Sequence, residues 1–257
     1  MSYDDEIQDE GLQHQPHTRT ISRSQLLAAA AAGVAVVAVP HGAEAQTPPA
    51  TENPQDIINI RVTAEYFGVT FLSMAVKNQA QLGLNTVINN VKPLDAVQAA
   101  LIEEQYHLDY LVSVGAKPLT TTFTIPDPKM LTDAVTFFST VELIEVLEIG
   151  ADMSATRQFS QLGNRMMAQV HYQIGATEAE HRVIARATLA LLGQAADVPP
   201  NNKAFETDTA FYLADFLKMY TAQGFIGGSG MQVTYPGRDA ALAAGGPMLA
   251  LVTDKTP

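Results

Sequence analysis

Four long segments of this chain repeat apolar residues at alternating spacings of three and four, and a carboxylate stands near the middle of each apolar stripe. The spacing is that of a helix burying one face. Segment 56–84 carries Ile58, Val62, Glu65, Val69, Leu72 and Val76 on that face, and segment 93–115 carries Val97, Ala100, Glu104, His107, Leu111 and Val114. Segment 130–156 follows with Leu131, Phe138, Val141, Glu145, Ile149 and Asp152, and segment 164–192 with Met167, His171, Ile174, Glu178, His181, Ala185, Thr188 and Leu191. The interruptions are the constraint. A carboxylate taken from water without a partner costs several kcal/mol, and no Lys or Arg falls on the central part of any stripe as read. Buried together, these faces call for cations, and carboxylates with imidazoles are ordinary ligands of divalent metals.

Two of the interruptions have the form Glu-x-x-His: Glu104 with His107, and Glu178 with His181. Residues three apart on a helix are neighbours, so both side chains of a pair can reach one ion. Ten Glu and three His follow residue 45, so chance spacing gives about 0.14 such pairs, and two occur, both on inward stripes. In the third segment Glu142, Glu145 and Glu148 stand three apart. Glu145 is the most central relative to Phe138, Val141 and Asp152. Glu142 and Glu148 are reserves, with a solvated or supporting role favoured for each. Glu103 and Glu180 point off their stripes and read as surface charge. His171 reads as a hydrogen-bonded core histidine, and Tyr66 and Tyr106 as packing aromatics.

The expected architecture is all-α: an antiparallel four-helix bundle over 56–193. A linker, 46–55, precedes it, with Pro48, Pro49 and Pro54 discouraging regular structure. A loop rich in Thr and Pro joins the second and third helices, and within it 120–125 suits a short extended segment. A C-terminal extension, 194–257, holds a fifth helix near 207–222 with Phe211, Tyr212, Phe216 and Tyr220 on one side; no element is evident after Gly224.

At these residues the chain resembles the ferritin-like superfamily, and within it the secreted branch that includes bacterial exported proteins and plant desiccation-related proteins. The resemblance lies in Thr63-Ala64-Glu65-Tyr66-Phe67, Ile102-Glu103-Glu104-Gln105-Tyr106-His107, Phe123-Thr124-Ile125-Pro126 and Ala176-Thr177-Glu178-Ala179-Glu180-His181-Arg182. It implies a dinuclear site for two divalent ions, iron or manganese. Glu65 and Glu145 would be single carboxylates on the first and third helices, and Glu104 with His107 and Glu178 with His181 the pairs, whose carboxylates bridge the ions. The implied chemistry is that of an oxidoreductase meeting O2 or peroxide in stress protection. A non-catalytic stress or desiccation-related metal-binding protein is the alternative, and iron storage in a cage ranks below both.

Composition agrees with a metal partner. The chain of 257 residues has 15 Lys plus Arg against 27 Asp plus Glu and no Cys, which excludes thiolate sites and disulfides and argues against nucleic acid. The first 45 residues read as a cleaved export signal: Arg19 and Arg23, an Ala/Val-rich run to Val39, then Ala43-Glu44-Ala45. The run is shorter than the roughly 20 residues a membrane span needs. Ser22-Arg23-Ser24-Gln25-Leu26-Leu27 is similar to a twin-arginine signal with Ser24 in place of the second arginine. The expected location is the periplasm or outside the cell, with no membrane span after processing, and exposed apolar residues leave a homodimer open.

Overall fold

The computed structural model describes residues 50–87, 90–194 and 199–253; the export signal expected over 1–45 lies outside them. The described chain is mostly helical, with one small two-stranded sheet. Helix α1 spans Pro54–Lys77, α2 Pro93–Ser113, α3 Ala134–Gln161 and α4 Arg165–Leu191. None is long and apolar enough to cross a membrane.

Local chemistry sets the helix ends. Helix α1 begins inside the expected linker because Pro54 fits the first helical turn and Asn53 caps it, its side chain accepting from the Gln55 amide at 2.9 Å. It stops at Lys77, short of the expected 84. There Asn78 turns back on Met74, and Leu82 and Leu84, which extended the apolar pattern, are buried in non-helical turns instead. Helix α3 starts at Ala134 rather than 130, since Pro128–Leu131 forms a single 3-10 turn and the Asp133 side chain accepts from the Thr136 amide. Asn164 caps α4 in the same way, through the Met167 amide.

Contacts between the helices fix their directions. Arg61 of α1 meets Asp152 of α3, while Phe71 further along α1 meets Phe137 near the start of α3, so these two helices run in opposite senses. Glu103 meets His181, and His107, one turn later on α2, meets Glu178, so α2 and α4 are also opposed. Gln55 at the start of α1 donates to Gly115 just past the end of α2. Helices α1 and α4 therefore share one direction and α2 and α3 the other, and the α2–α3 connection, 114–133, returns along the whole length of the helices.

That connection is anchored by strand β1, Thr122–Ile125, paired antiparallel with β2, Met231–Thr234, in the register Phe123 to Val233. Helix α5 spans Leu213–Ala222, beginning later than the expected 207, where the Glu52 carboxylate accepts from the Leu213 and Ala214 amides at 2.7 and 2.8 Å. The C-terminal stretch, which showed no element in sequence, contains β2, the short helix α6, Arg238–Ala244, and a 3-10 turn, Gly246–Ala250. These elements lean on α2: Gln98 donates to the Ala244 carbonyl at 2.9 Å, and a β-carbon on Gly245 would lie 2.5 Å from Ile102. One aromatic core, Phe67, Phe123, Tyr220 and Phe225, ties α1, β1, α5 and the residues after it together.

Candidate metal centre

Each of the four long helices sends carboxylates into the space between them. Glu65 comes from α1, Glu104 from α2, Glu145 from α3 and Glu178 from α4, and all four are buried. His107 and His181 join them one turn beyond Glu104 and Glu178. The six form two overlapping groups in which one ligand atom per residue lies within 4.8 Å of the others: Glu65, Glu104, His107 and Glu178 in the first, Glu104, Glu145, Glu178 and His181 in the second. All six residues singled out in the sequence are thus brought together, and Glu104 and Glu178 belong to both groups.

Glu178 faces both ways. Its Oε1 lies 3.4 Å from His107 Nδ1, and its Oε2 lies 3.1 Å from His181 Nδ1. His107 Nδ1 is also 3.6 Å from Glu65 Oε2, and His181 Nδ1 is 3.3 Å from Glu104 Oε1 and 3.8 Å from Glu145 Oε1. None of these approaches is a hydrogen bond. Glu65 Oε2, Glu104 Oε2, Glu145 Oε2, both oxygens of Glu178 and the Nδ1 atoms of both histidines are buried without a partner. Buried groups are almost always hydrogen-bonded, so seven atoms without partners in one cluster of six residues make it a candidate binding site. Carboxylate oxygens and imidazole nitrogens are metal ligands, and the donor set fits a metal ion.

Without a metal, protons hold the charges. Burial opposes a charged His107 ring, but the Glu178 and Glu65 carboxylates beside it push its pKa up to about 10. Burial likewise opposes a charged His181, and Glu103, Glu104 and Glu178 raise it well above its usual value. Glu104 and Glu145 are pushed well above the carboxylate range, first by burial and then by the charge of Glu178. Glu178 is itself held well below that range, because the two histidines outweigh its burial.

Around the six lies a layer that the sequence reading missed. The apolar periods place no Lys or Arg at the centre of any stripe, yet Arg61 is completely buried beside the site. Its Nη2 donates to Glu65 Oε1 at 2.5 Å and to Asp152 Oδ2 at 3.0 Å, its Nε to Asp152 Oδ1 at 2.9 Å, and its Nη1 to Glu148 Oε2 at 3.2 Å. The signal was present: Arg61 precedes Glu65 by four residues and so shares its face. Glu148, held in reserve as a ligand, instead accepts from Arg61 and from the Tyr220 hydroxyl at 2.7 Å, and burial, partly offset by Arg61, pushes its pKa up to about 8. Glu142 is half-buried at the edge of the bundle side of its helix and lies 3.4 Å from Arg186, away from the six. His171 is a core histidine with Nδ1 2.8 Å from Asp152 Oδ1. Glu103 is not simple surface charge, since its Oε2 sits 2.7 Å from His181 Nε2. Glu180 is exposed, and Tyr66 packs edge-on against Tyr235.

Six carboxylates, counting Glu148 and Asp152, are thus buried at the centre, and four of them, Glu65, Glu148, Asp152 and Glu178, lie within 3.5 Å of the buried Arg61 guanidinium. Arg61 and protonated histidines offset part of that charge; divalent cations would offset more. No protein-family model, curated protein or solved structure matches the chain.

Proposed function

We propose that this is an exported ferritin-like protein, a four-helix bundle whose centre holds two divalent ions, iron or manganese, for oxidoreductase chemistry with O2 or peroxide in stress protection. The helix directions support the bundle reading: a ferritin-like bundle has one long crossover, and here the connection 114–133 returns along the helices between α2 and α3. The observation that carries the function is Glu178, whose two orphaned oxygens each face a different histidine. A carboxylate so placed suits a bridge between two ions.

In this reading Glu65 and His107 complete one ion's ligands, Glu145 and His181 complete the other's, and Glu104 and Glu178 are shared. Redox-active ions held there would exchange electrons with a bound oxidant. The protein's own part is to fix the ligands, to exclude bulk water and to limit size: five of the six ligands are buried and His107 keeps 14% of its side-chain surface, so the reactant is small. Arg61 keeps Glu65 oriented through its 2.5 Å bond.

The near-complete burial of the site also favours the second reading, in which the ions brace the bundle and no turnover occurs. Hydrogen peroxide added to protein loaded with Fe(II) or Mn(II) separates the two. The oxidoreductase reading predicts stoichiometric oxidation of the metal, followed by absorbance and electron paramagnetic resonance, with peroxide consumed. Metal that stays divalent while peroxide persists supports the bracing role instead.

A further inference from the structure

The two groups of ligands are chemically unequal, and the inequality comes from residues outside the six. Behind His181 stands Glu103, its carboxylate 2.7 Å from Nε2. A carboxylate on the far nitrogen of a metal-binding imidazole fixes the tautomer that leaves Nδ1 free and makes that nitrogen a stronger donor. Here Nδ1 is the atom aimed at Glu104, Glu145 and Glu178. His107 has no such support: among the described residues no side chain is hydrogen-bonded to its Nε2. Instead its group lies against a fixed cation. Arg61 Nη2 is 2.5 Å from Glu65 Oε1 and 3.5 Å from Glu178 Oε1; Glu65 belongs to the His107 group alone, and Oε1 is the oxygen of the shared Glu178 that faces His107. A guanidinium that close withdraws electron density from those oxygens and repels an arriving cation.

We infer that the centre fills in order: the first divalent ion takes the Glu104–Glu145–Glu178–His181 group, with Glu103 as its positioning residue, and the second takes the Glu65–Glu104–His107–Glu178 group beside Arg61. This rests on the dinuclear reading above. Mutual repulsion between two ions would separate the two binding steps even at equal sites, so the assignment depends on which histidine responds first. The order matters for activity, since a chain holding one ion is a distinct species that cannot perform two-metal chemistry.

The test uses Zn(II), which is diamagnetic, and protein with 15N-labelled histidine, with imidazole spectra recorded from zero to two equivalents and calorimetry in parallel. The His181 ring is expected to shift during the first equivalent and the His107 ring during the second. Glu103→Gln, at a partly exposed position whose replacement leaves the helix intact, is expected to weaken the His181 group about 10–100-fold and to even out or reverse the order. His107 responding first, both rings responding together in the unmodified protein, or Glu103→Gln leaving order and affinity unchanged would overturn the inference while two bound ions kept the dinuclear reading. Failure of the unmodified, folded protein to bind any Zn(II) overturns both.

Discussion

A β-carbon placed on Gly68 would stand 2.6 Å from Glu104 Oε2, so the absence of a side chain on α1 is what lets the α2 carboxylate reach the centre. Within a helix, replacing Gly by Ala ordinarily stabilises by roughly 0.5–1 kcal/mol. Gly68→Ala is therefore expected to leave the metal-free protein folded in a urea titration, the helix gain set against the cost of moving the buried Glu104, while displacing Glu104 and lowering bound metal measured by mass spectrometry. Unchanged metal content would show that Glu104 is no ligand. Arg61 gives the opposite signature. Its removal leaves Glu65, Glu148 and Asp152 without their shared cation, and breaking a buried ion pair from one side costs about 3–5 kcal/mol. Arg61→Met should lower the stability of the metal-free protein by that order in denaturant. The six central residues were legible because each breaks an apolar period. Arg61 was not, because a stripe is read by its apolar members and a charged residue next to them is assigned to solvent. Glu103 was hidden for a related reason: its angular position on α2 is off the stripe, and only the approach of α4 brings His181 to it.

At the scale of elements, the long helices were readable from period and caps, and their ends were displaced wherever a short-range device overrode the pattern. Asp133 illustrates this, since its carboxylate receives both the Thr136 amide and the Thr136 hydroxyl and so starts α3 four residues later than hydropathy suggested. Asp133→Ala should cost about 1 kcal/mol, the usual worth of such a cap. The Thr136 hydroxyl and amide bonds hold the Asp133 carboxyl below its ordinary value. With the folded pKa depressed, its contribution is present above the unfolded carboxyl pKa and is lost as the pH falls through the folded value. The stability difference between Asp133→Ala and the unmodified protein should thus be constant near neutrality and shrink in acid; a difference that persists unchanged in acid would contradict the cap. The elements after Gly224 were not legible, because β2 exists only by pairing with β1, more than a hundred residues earlier, and α6 only by resting on α1 and α2.

For the whole molecule, charge and stability are linked through the centre. A ligand that binds only the folded state stabilises it by about 4 kcal/mol at a thousand times its Kd, which for a chain of this size raises Tm by roughly 10 °C. Removal of metal by a chelator should lower Tm by that order, and readdition of Mn(II) should restore it. The same treatment of a Glu178→Ala variant should change Tm little, since both groups of ligands lose a shared member. The most direct test is the metal content of the protein purified without chelators, measured by mass spectrometry beside the Glu104→Ala/His181→Ala double variant. Two iron or manganese ions per chain are expected in the first and none in the second. A folded, unmodified protein that holds no metal even after incubation with excess Fe(II) or Mn(II) would contradict the dinuclear reading, and would leave the six residues as a core whose charges are held by Arg61 and protons alone.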